Sequence, residues 1–404
     1  MPKSLDQKLA AIHADPSGAK DFILADAKDA DMAFGMSATG LSPEQHGGEL
    51  RHKTLAEYRQ QIREVIRQGL VDIVLMSTST SDQLTLKEGL FDNSQITPAT
   101  RANDATDVHL PRGGKIHTAP AHPFRTAAID HMQCGHMDCD PAERPRGSNL
   151  GLYSVTYNND LKLDLHTIEK YKEFREEAER KGFRHFLEVF DPNLPGVIAP
   201  ELLGGFINDL IARTLAGVAQ AGRPVFLKIV YHGPKAMEEL VRYDPHLIVG
   251  VLGGAAGTTY DAFKLLGEAQ KYGARAALFG RKINNAENQL AFIEFLRLIA
   301  DGVLTPEEAV PAYHSVLEKL GVKPQRSLAD DLQLQTAVMS YGGGGSQVSV
   351  PVAITAESGK RKAESPKKSE PPTRQTSAAP DFKTMSPQER LEYHRNRLKK
   401  MFGS

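Results

Sequence analysis

Phe186-Leu-Glu-Val-Phe190 and Val225-Phe-Leu-Lys-Ile-Val230 decide the reading of this chain. Each is a short run of bulky apolar residues, the composition of a buried β-strand. Each also carries one charged residue in its middle, Glu188 in the first and Lys228 in the second. Strands apolar on both faces are buried on both faces, as in parallel sheets covered by helices. A lysine in that setting is seldom buried without a partner or a task.

The same rhythm continues in both directions. Upstream lie the strand candidates Phe22–Asp26, Val71–Met76 and Leu150–Tyr157, and downstream Leu247–Leu252 and Arg275–Phe279. With Phe183–Phe190 and Pro224–Tyr231 these make seven, and the loop-rich stretch 94–148 hides an eighth. Helical runs fall between them. Thr54–Gln68 carries Leu55, Tyr58, Ile62, Val65 and Ile66 on one face, and Leu165–Lys181, Pro200–Gln220, Lys235–Arg242, Tyr260–Tyr272 and Asn288–Ala300 follow. Alternating strands and helices predict parallel βαβ units. Seven clear strands and one obscure one predict a closed α/β barrel, the (β/α)8 or TIM fold, over residues 1–325. No GxGxxG follows the first strand, so a dinucleotide fold has no support.

Composition sets the frame. A hydrophobic fraction of 40% and a charged fraction of 25% are those of a globular protein. No apolar run approaches the roughly 18 residues of a membrane span, and Met1–Ala10 has no signal-peptide pattern. Only two cysteines occur, so disulfides are not the framework, and a cytoplasmic protein is expected. The net charge of −1 combines an acidic body with a basic segment at 358–404, where Lys and Arg outnumber Asp and Glu more than two to one. The body is therefore no nucleic-acid binder on charge grounds. Residues 326–384 are rich in Gly, Ser, Pro, Lys and Glu and read as a disordered linker. Ser386-Pro-Gln-Glu389 then opens a short basic amphipathic helix over 385–404, a possible docking peptide for a partner and too poor in bulky apolar residues for a membrane.

Lys228 is the sharpest chemical signal. An inward lysine near the C-terminal end of a barrel strand faces the usual active-site end. Burial disfavours the ammonium, and a neutral amine attacks a carbonyl to form an iminium. The iminium withdraws electrons and lets an adjacent C–C bond break. The plain alternative is a strand-end lysine paired with an acid. Glu188 on the preceding strand is either a general acid/base or merely that partner. Asp26 ends the first strand, with Asp29 and Asp31 close behind, and Tyr153 and Tyr157 are further proton-transfer candidates whose commoner role is packing. Gly253 and Gly254 follow the seventh strand and Gly280 and Arg281 the eighth, where such barrels bind phosphate on backbone amides and a cation. His131, Cys134, His136 and Cys139 form a possible metal set, although their spacing matches no standard zinc unit.

The order of these pieces resembles the class I aldolase superfamily of deoxyribose-phosphate, archaeal-type fructose-bisphosphate and tagatose-bisphosphate aldolases. The resemblance rests on Phe186-Leu187-Glu188, Leu227-Lys228-Ile229, the Gly253-Gly254 loop and Gly280-Arg281, and spans roughly residues 20–300. It implies a Schiff base at Lys228, proton transfer by Glu188, an electrostatic role for Asp26, and phosphate contacts at Gly253, Gly254, Gly280 and Arg281. It departs at Asp26-Ala-Lys28, where tagatose-type enzymes carry an Asp-Gln-Arg pattern. The expected activity is reversible aldol cleavage of a phosphorylated ketose or related sugar, without cofactor, by a homo-oligomer. Two rival readings keep the barrel: a metal-dependent or isomerase-type enzyme on a sugar phosphate, and a non-catalytic scaffold whose tail does the work.

Overall fold

The computed structural model describes residues 1–46, 49–254 and 257–335, with no side-chain description over 43–50. Eight parallel strands close into a barrel: β1 (Ile23–Lys28), β2 (Ile73–Met76), β3 (Thr97–Arg101), β4 (Leu150–Thr156), β5 (Arg184–Phe190), β6 (Leu227–Ile229), β7 (Val249–Leu252) and β8 (Ala276–Phe279). Each pairs with its neighbours in sequence, and β1 pairs with β8 to close the ring. The expected (β/α)8 architecture is thus present.

The hidden strand is Thr97-Pro-Ala-Thr-Arg101. It has a proline and a single small apolar residue, so neither composition nor periodicity marks it. It forms because its neighbours supply the pairing, Ile73 to Met76 on one side and Gly151 and Leu152 on the other.

Side chains alternate across each strand and sort into two cores. One lies inside the barrel and includes Ala25, Leu75, Ala99, Leu152, Phe186, Phe226 and Leu278. Phe186 and Phe226 stack there at 4.6 Å between ring centroids. The other lies between strands and helices. Leu24, Val74, Tyr153, Leu187 and Leu227 meet Tyr58 and Ile62 of helix Leu55–Gln68, Phe174 of helix Leu161–Arg180, and Phe263 of helix Thr259–Lys271 in this layer. Helix Leu55–Gln68 starts at a capping box on Thr54 and Glu57 and stops at Gly69 in the left-handed region.

One helix was not anticipated. Ser4–Ala14 inserts Leu5, Leu9 and Ile12 into the inner core beside Ile23, Ile73 and Ile248, the residues at or just before the strand starts. It therefore plugs the N-terminal end of the barrel. Asp6 of this helix also meets Arg184 at 2.6 Å.

The chain from 326 to 335, expected as linker, packs on the barrel instead. Asp331 is buried and accepts from the backbone N–H of Thr259 at 2.7 Å, and His314 contacts it at 2.9 Å. The remaining linker and the expected terminal helix over 385–404 lie outside the described residues. Among the described residues no helix is long and apolar enough to cross a membrane.

Candidate active site

The inner face of each strand runs from an apolar floor to a polar rim. Two residues above Phe186 comes Glu188, two above Phe226 comes Lys228, two above Leu152 comes Ser154, and two above Ala99 comes Arg101. Strand register puts Ser154, Glu188 and Lys228 level with one another on β4, β5 and β6. All four side chains are buried.

They form one connected chain of contacts. Lys228 Nζ lies 2.6 Å from Glu188 Oε1. The other carboxylate oxygen, Glu188 Oε2, accepts from Ser154 Oγ at 2.7 Å. Ser154 Oγ accepts from Arg101 Nη2 at 3.2 Å, and Arg101 Nη1 donates to Asp29 Oδ2 at 2.8 Å. Asp104 approaches Arg101 at 3.4 Å. Burial works against the Arg101 charge, but Asp104, Asp29 and Glu188 together outweigh it and hold its pKa above the usual value. Asn103 fixes Ser154 by accepting from its N–H at 2.6 Å and donating to its carbonyl at 2.8 Å. The lysine and glutamate singled out by sequence therefore meet, and Ser154, Arg101 and Asp29 stand behind them.

Two further acid pairs sit past the C-terminal ends of the strands. Asp191 after β5 contacts His232 after β6 at 2.7 Å, and Asp107 accepts from Thr156 Oγ1 at 2.9 Å. In both, the second carboxylate oxygen (Asp191 Oδ2, Asp107 Oδ1) is buried with no hydrogen-bond partner among the described residues. Burial holds the Asp107 carboxyl above its ordinary range.

Asp26 and Tyr153 are placed elsewhere. On β1 the inward residues are Ala25 and Ala27, so Asp26 and Lys28 point out into the helix layer. There they pair at 3.3 Å, fully buried, while Lys28 also contacts the side chains of Asn284 and Gln289. Burial pushes the Asp26 carboxyl up to about 6 even with Lys28 beside it. The carboxylate expected in the lumen from β1 is replaced there by Asp29, the next residue but one beyond Ala27. Tyr153 is likewise outward, stacked on Phe174 at 4.5 Å, and burial raises its phenol pKa. Tyr157 is in the same layer, with its hydroxyl 3.0 Å from Thr214 Oγ1.

After β7, Gly253 packs against β8, since a Cβ there would lie 2.1 Å from the Phe279 ring, and Gly254 has φ +61°. Arg281 lies over the Phe34 ring at 5.1 Å. Burial lowers its pKa and Glu188 partly offsets that. Among the described residues its guanidinium has no hydrogen-bond or ion-pair partner.

The His/Cys set is rearranged. Cys134, Cys139 and Glu143 offer ligand atoms all within 4.8 Å of one another, and His136 Nε2 stands 3.3 Å from Glu143. His131 is not part of this group.

No family model matches the sequence, and no curated protein is similar to it by sequence. Solved structures are similar in shape. An archaeal fructose 1,6-bisphosphate aldolase superposes with TM-score 0.50 at 13% identity, covering 73% of this chain and 99% of that one. A Schiff-base-forming fructose-1,6-bisphosphate aldolase superposes with TM-score 0.50 at 14% identity, over 74% and 100%. An archaeal fructose-1,6-bisphosphate aldolase with its catalytic lysine bound to the substrate carbinolamine gives TM-score 0.51 at 13% identity, over 73% and 100%. These three neighbours are fructose-bisphosphate aldolases, and at this identity the likeness is one of fold.

Proposed function

We propose that this protein is a class I aldolase that cleaves or forms a C–C bond in a phosphorylated ketose or related sugar through an imine on Lys228. The observation that carries the reading is the Lys228–Glu188 pair at 2.6 Å, buried at the C-terminal rim of a barrel lumen above an apolar floor. Likeness of fold to Schiff-base aldolases supports it.

The residues divide the work as follows. Lys228 passes a proton to Glu188 and attacks the substrate carbonyl with the free amine. The adduct nitrogen and Glu188 each give one proton to the carbonyl-derived oxygen, which leaves as water, and the iminium forms. A base takes the proton from the hydroxyl beyond the bond to be broken; the C–C electrons move into the iminium, releasing an aldehyde and an enamine. The enamine carbon takes up a proton and water hydrolyses the imine, restoring Lys228. Ser154 and Arg101 hold Glu188 in place. Asp191–His232 and Asp107 are the groups beyond the strand ends available for the hydroxyl proton. Arg281, with Gly253, Gly254 and Gly280, receives the phosphate. The lysine imine serves as the electron sink, and no cofactor enters these steps.

Borohydride reduction of the protein with ketose phosphates and with dihydroxyacetone phosphate tests this. A substrate-dependent adduct mapped by mass to Lys228, absent in Lys228→Met, is expected. Absence of an adduct on any lysine of folded protein overturns the proposal and leaves Lys228–Glu188 as a structural ion pair.

A further inference from the structure

The connection from β3 to β4 departs from the barrel's repeat. Most other crossovers carry a long helix, whereas the longest helix of this one is the five-residue Ile129–Gln133 in the outer core. Immediately after that helix the chain makes a tight excursion. Cys134 follows its last residue, and Gly135 turns the chain at φ +88°. Asp138, at φ +57°, turns it back, in the left-handed conformation that aspartate tolerates better than most residues other than glycine. The turn is held: Asp138 N–H donates to Asp130 Oδ2 at 3.1 Å, and Asp130 Oδ1 is anchored by Lys181 at 2.5 Å.

The product of this fold-back is a cluster of soft ligands. Cys139 returns to Cys134, both are buried at 7% exposure, and both are free thiols. A turn from Asp140 (Glu143 N–H to Asp140 O, 2.9 Å) raises Glu143 beside them. His136, at the tip of the excursion, has its Nε2 at 3.3 Å from Glu143. Three donors, two thiols and a carboxylate, thus converge, and an imidazole stands beside the carboxylate, although the spacing is no standard motif.

We propose that Cys134, Cys139 and Glu143, with His136 closing the set, bind one zinc-class divalent cation as a structural site. Two sulfurs, one imidazole and one carboxylate suit a borderline-soft ion that accepts four tetrahedral ligands. Zn–S arms of about 2.3 Å separate two sulfurs by about 3.8 Å, a span that a group lying within 4.8 Å accommodates with small shifts. Iron–sulfur clusters ask for more thiolates, and calcium or magnesium for oxygen ligands. Each thiol gives up its proton to solvent as its sulfur takes the metal, so binding weakens in acid. The ion would tie the two ends of the fold-back together where the barrel lacks a full crossover helix. This site is separate from Lys228 and does not depend on the chemistry proposed there.

The full chain, prepared without a metal-affinity tag and kept in reductant, is stripped with chelator, titrated with zinc and analysed for metal. One equivalent per chain is expected, and cobalt in its place gives an intense thiolate-to-cobalt charge-transfer band. Cys134→Ser/Cys139→Ser should lose both signals, and Glu143→Gln, which keeps the thiols, should weaken binding at least tenfold. Stripping should lower the melting temperature of the wild type and leave that of the double variant unchanged. The cobalt spectrum of the wild type needs no variant, so misfolding of the serine protein does not remove the test. Folded wild type that binds no zinc, or zinc that stays bound in the double variant, overturns the proposal. A pair that ignores metal under reductant and forms a disulfide without it is a redox pair, and that result overturns it as well.

Discussion

Replacing Arg101 with methionine strands charge inside the lumen. Arg101 is 4% exposed and touches Asp29, Asp104 and Ser154, and the two carboxylates are themselves 5% and 2% exposed. Breaking one buried ion pair costs about 3–5 kcal/mol, mostly because the orphaned charge stays buried. Here two carboxylates lose the same partner, but each can escape by taking a proton, so about 4 kcal/mol at neutral pH is expected. At roughly 2 °C per kcal/mol for a domain of this size, the melting temperature falls by about 8 °C. The pH dependence carries the sharper sign. Burial already holds the Asp104 carboxyl above the usual range against the pull of Arg101, and without that cation it moves further up, so the folded variant binds more protons than the folded wild type. Its stability relative to wild type therefore falls as pH rises from about 4 through the raised folded value. The gap to wild type should be widest at pH 8 and narrow toward pH 5. Melting both proteins across that range, by circular dichroism in matched salt, measures it. A gap that is constant with pH, or that widens in acid, refutes the ionic argument and reduces Arg101 to a packing residue.

Four other outcomes are expected. Glu188→Gln should slow formation of the reducible adduct by about 100-fold or more, the usual worth of a positioned proton donor, with the fold intact by circular dichroism. Tyr153→Phe, whose hydroxyl lies outside the barrel wall, should leave the trapping rate within a few-fold of wild type; a hundredfold loss would mean that the tyrosine reaches the lumen. Leu5→Ala removes a fully buried side chain from the basal plug and should cost about 2–5 kcal/mol in urea unfolding without changing the mapped adduct site. A chain cut after 330 loses Asp331 and its contacts to Thr259 and His314, which one cut after 335 keeps, so the shorter should be less stable than the longer by about 2–3 kcal/mol.

The parts of the candidate site that were legible in the sequence were the charged residues set in bulky apolar strands. Glu188 and Lys228 stand out because Phe186, Leu187, Phe226 and Leu227 mark their strands as buried, and strand register places them side by side. Asp26 misled because Ile-Leu-Ala-Asp-Ala-Lys has two faces and hydrophobicity does not say which is inward. Its small alanines point in, where eight strands crowd together, and Asp26 and Lys28 share the outer face. Their shared parity was the available clue that they pair with each other. Arg101 was missed because its strand, with Pro98 and Ala99, has no bulky apolar residue. Ser154 was missed because a lone serine between Tyr153 and Val155 is unremarkable until Glu188 is placed opposite it. The fold-back at Asp138 depends on Asp130 and Lys181, contacts between segments that spacing alone does not reveal.

The basal helix has a consequence for how the chain comes off the ribosome. Ser4–Ala14 is made before the barrel strands, yet its apolar stripe shares a core with Phe226, Ile248 and Leu278, which are made far later. Barrel closure has the same property, since β1 must wait for β8. Synthesis proceeds at about 5–20 residues per second, so Leu5, Leu9 and Ile12 spend on the order of ten seconds or more without their full seat. Throughout that interval the growing chain presents a sticky amphipathic segment to its surroundings. A chaperone bound to this helix would therefore compete with the final step of assembly.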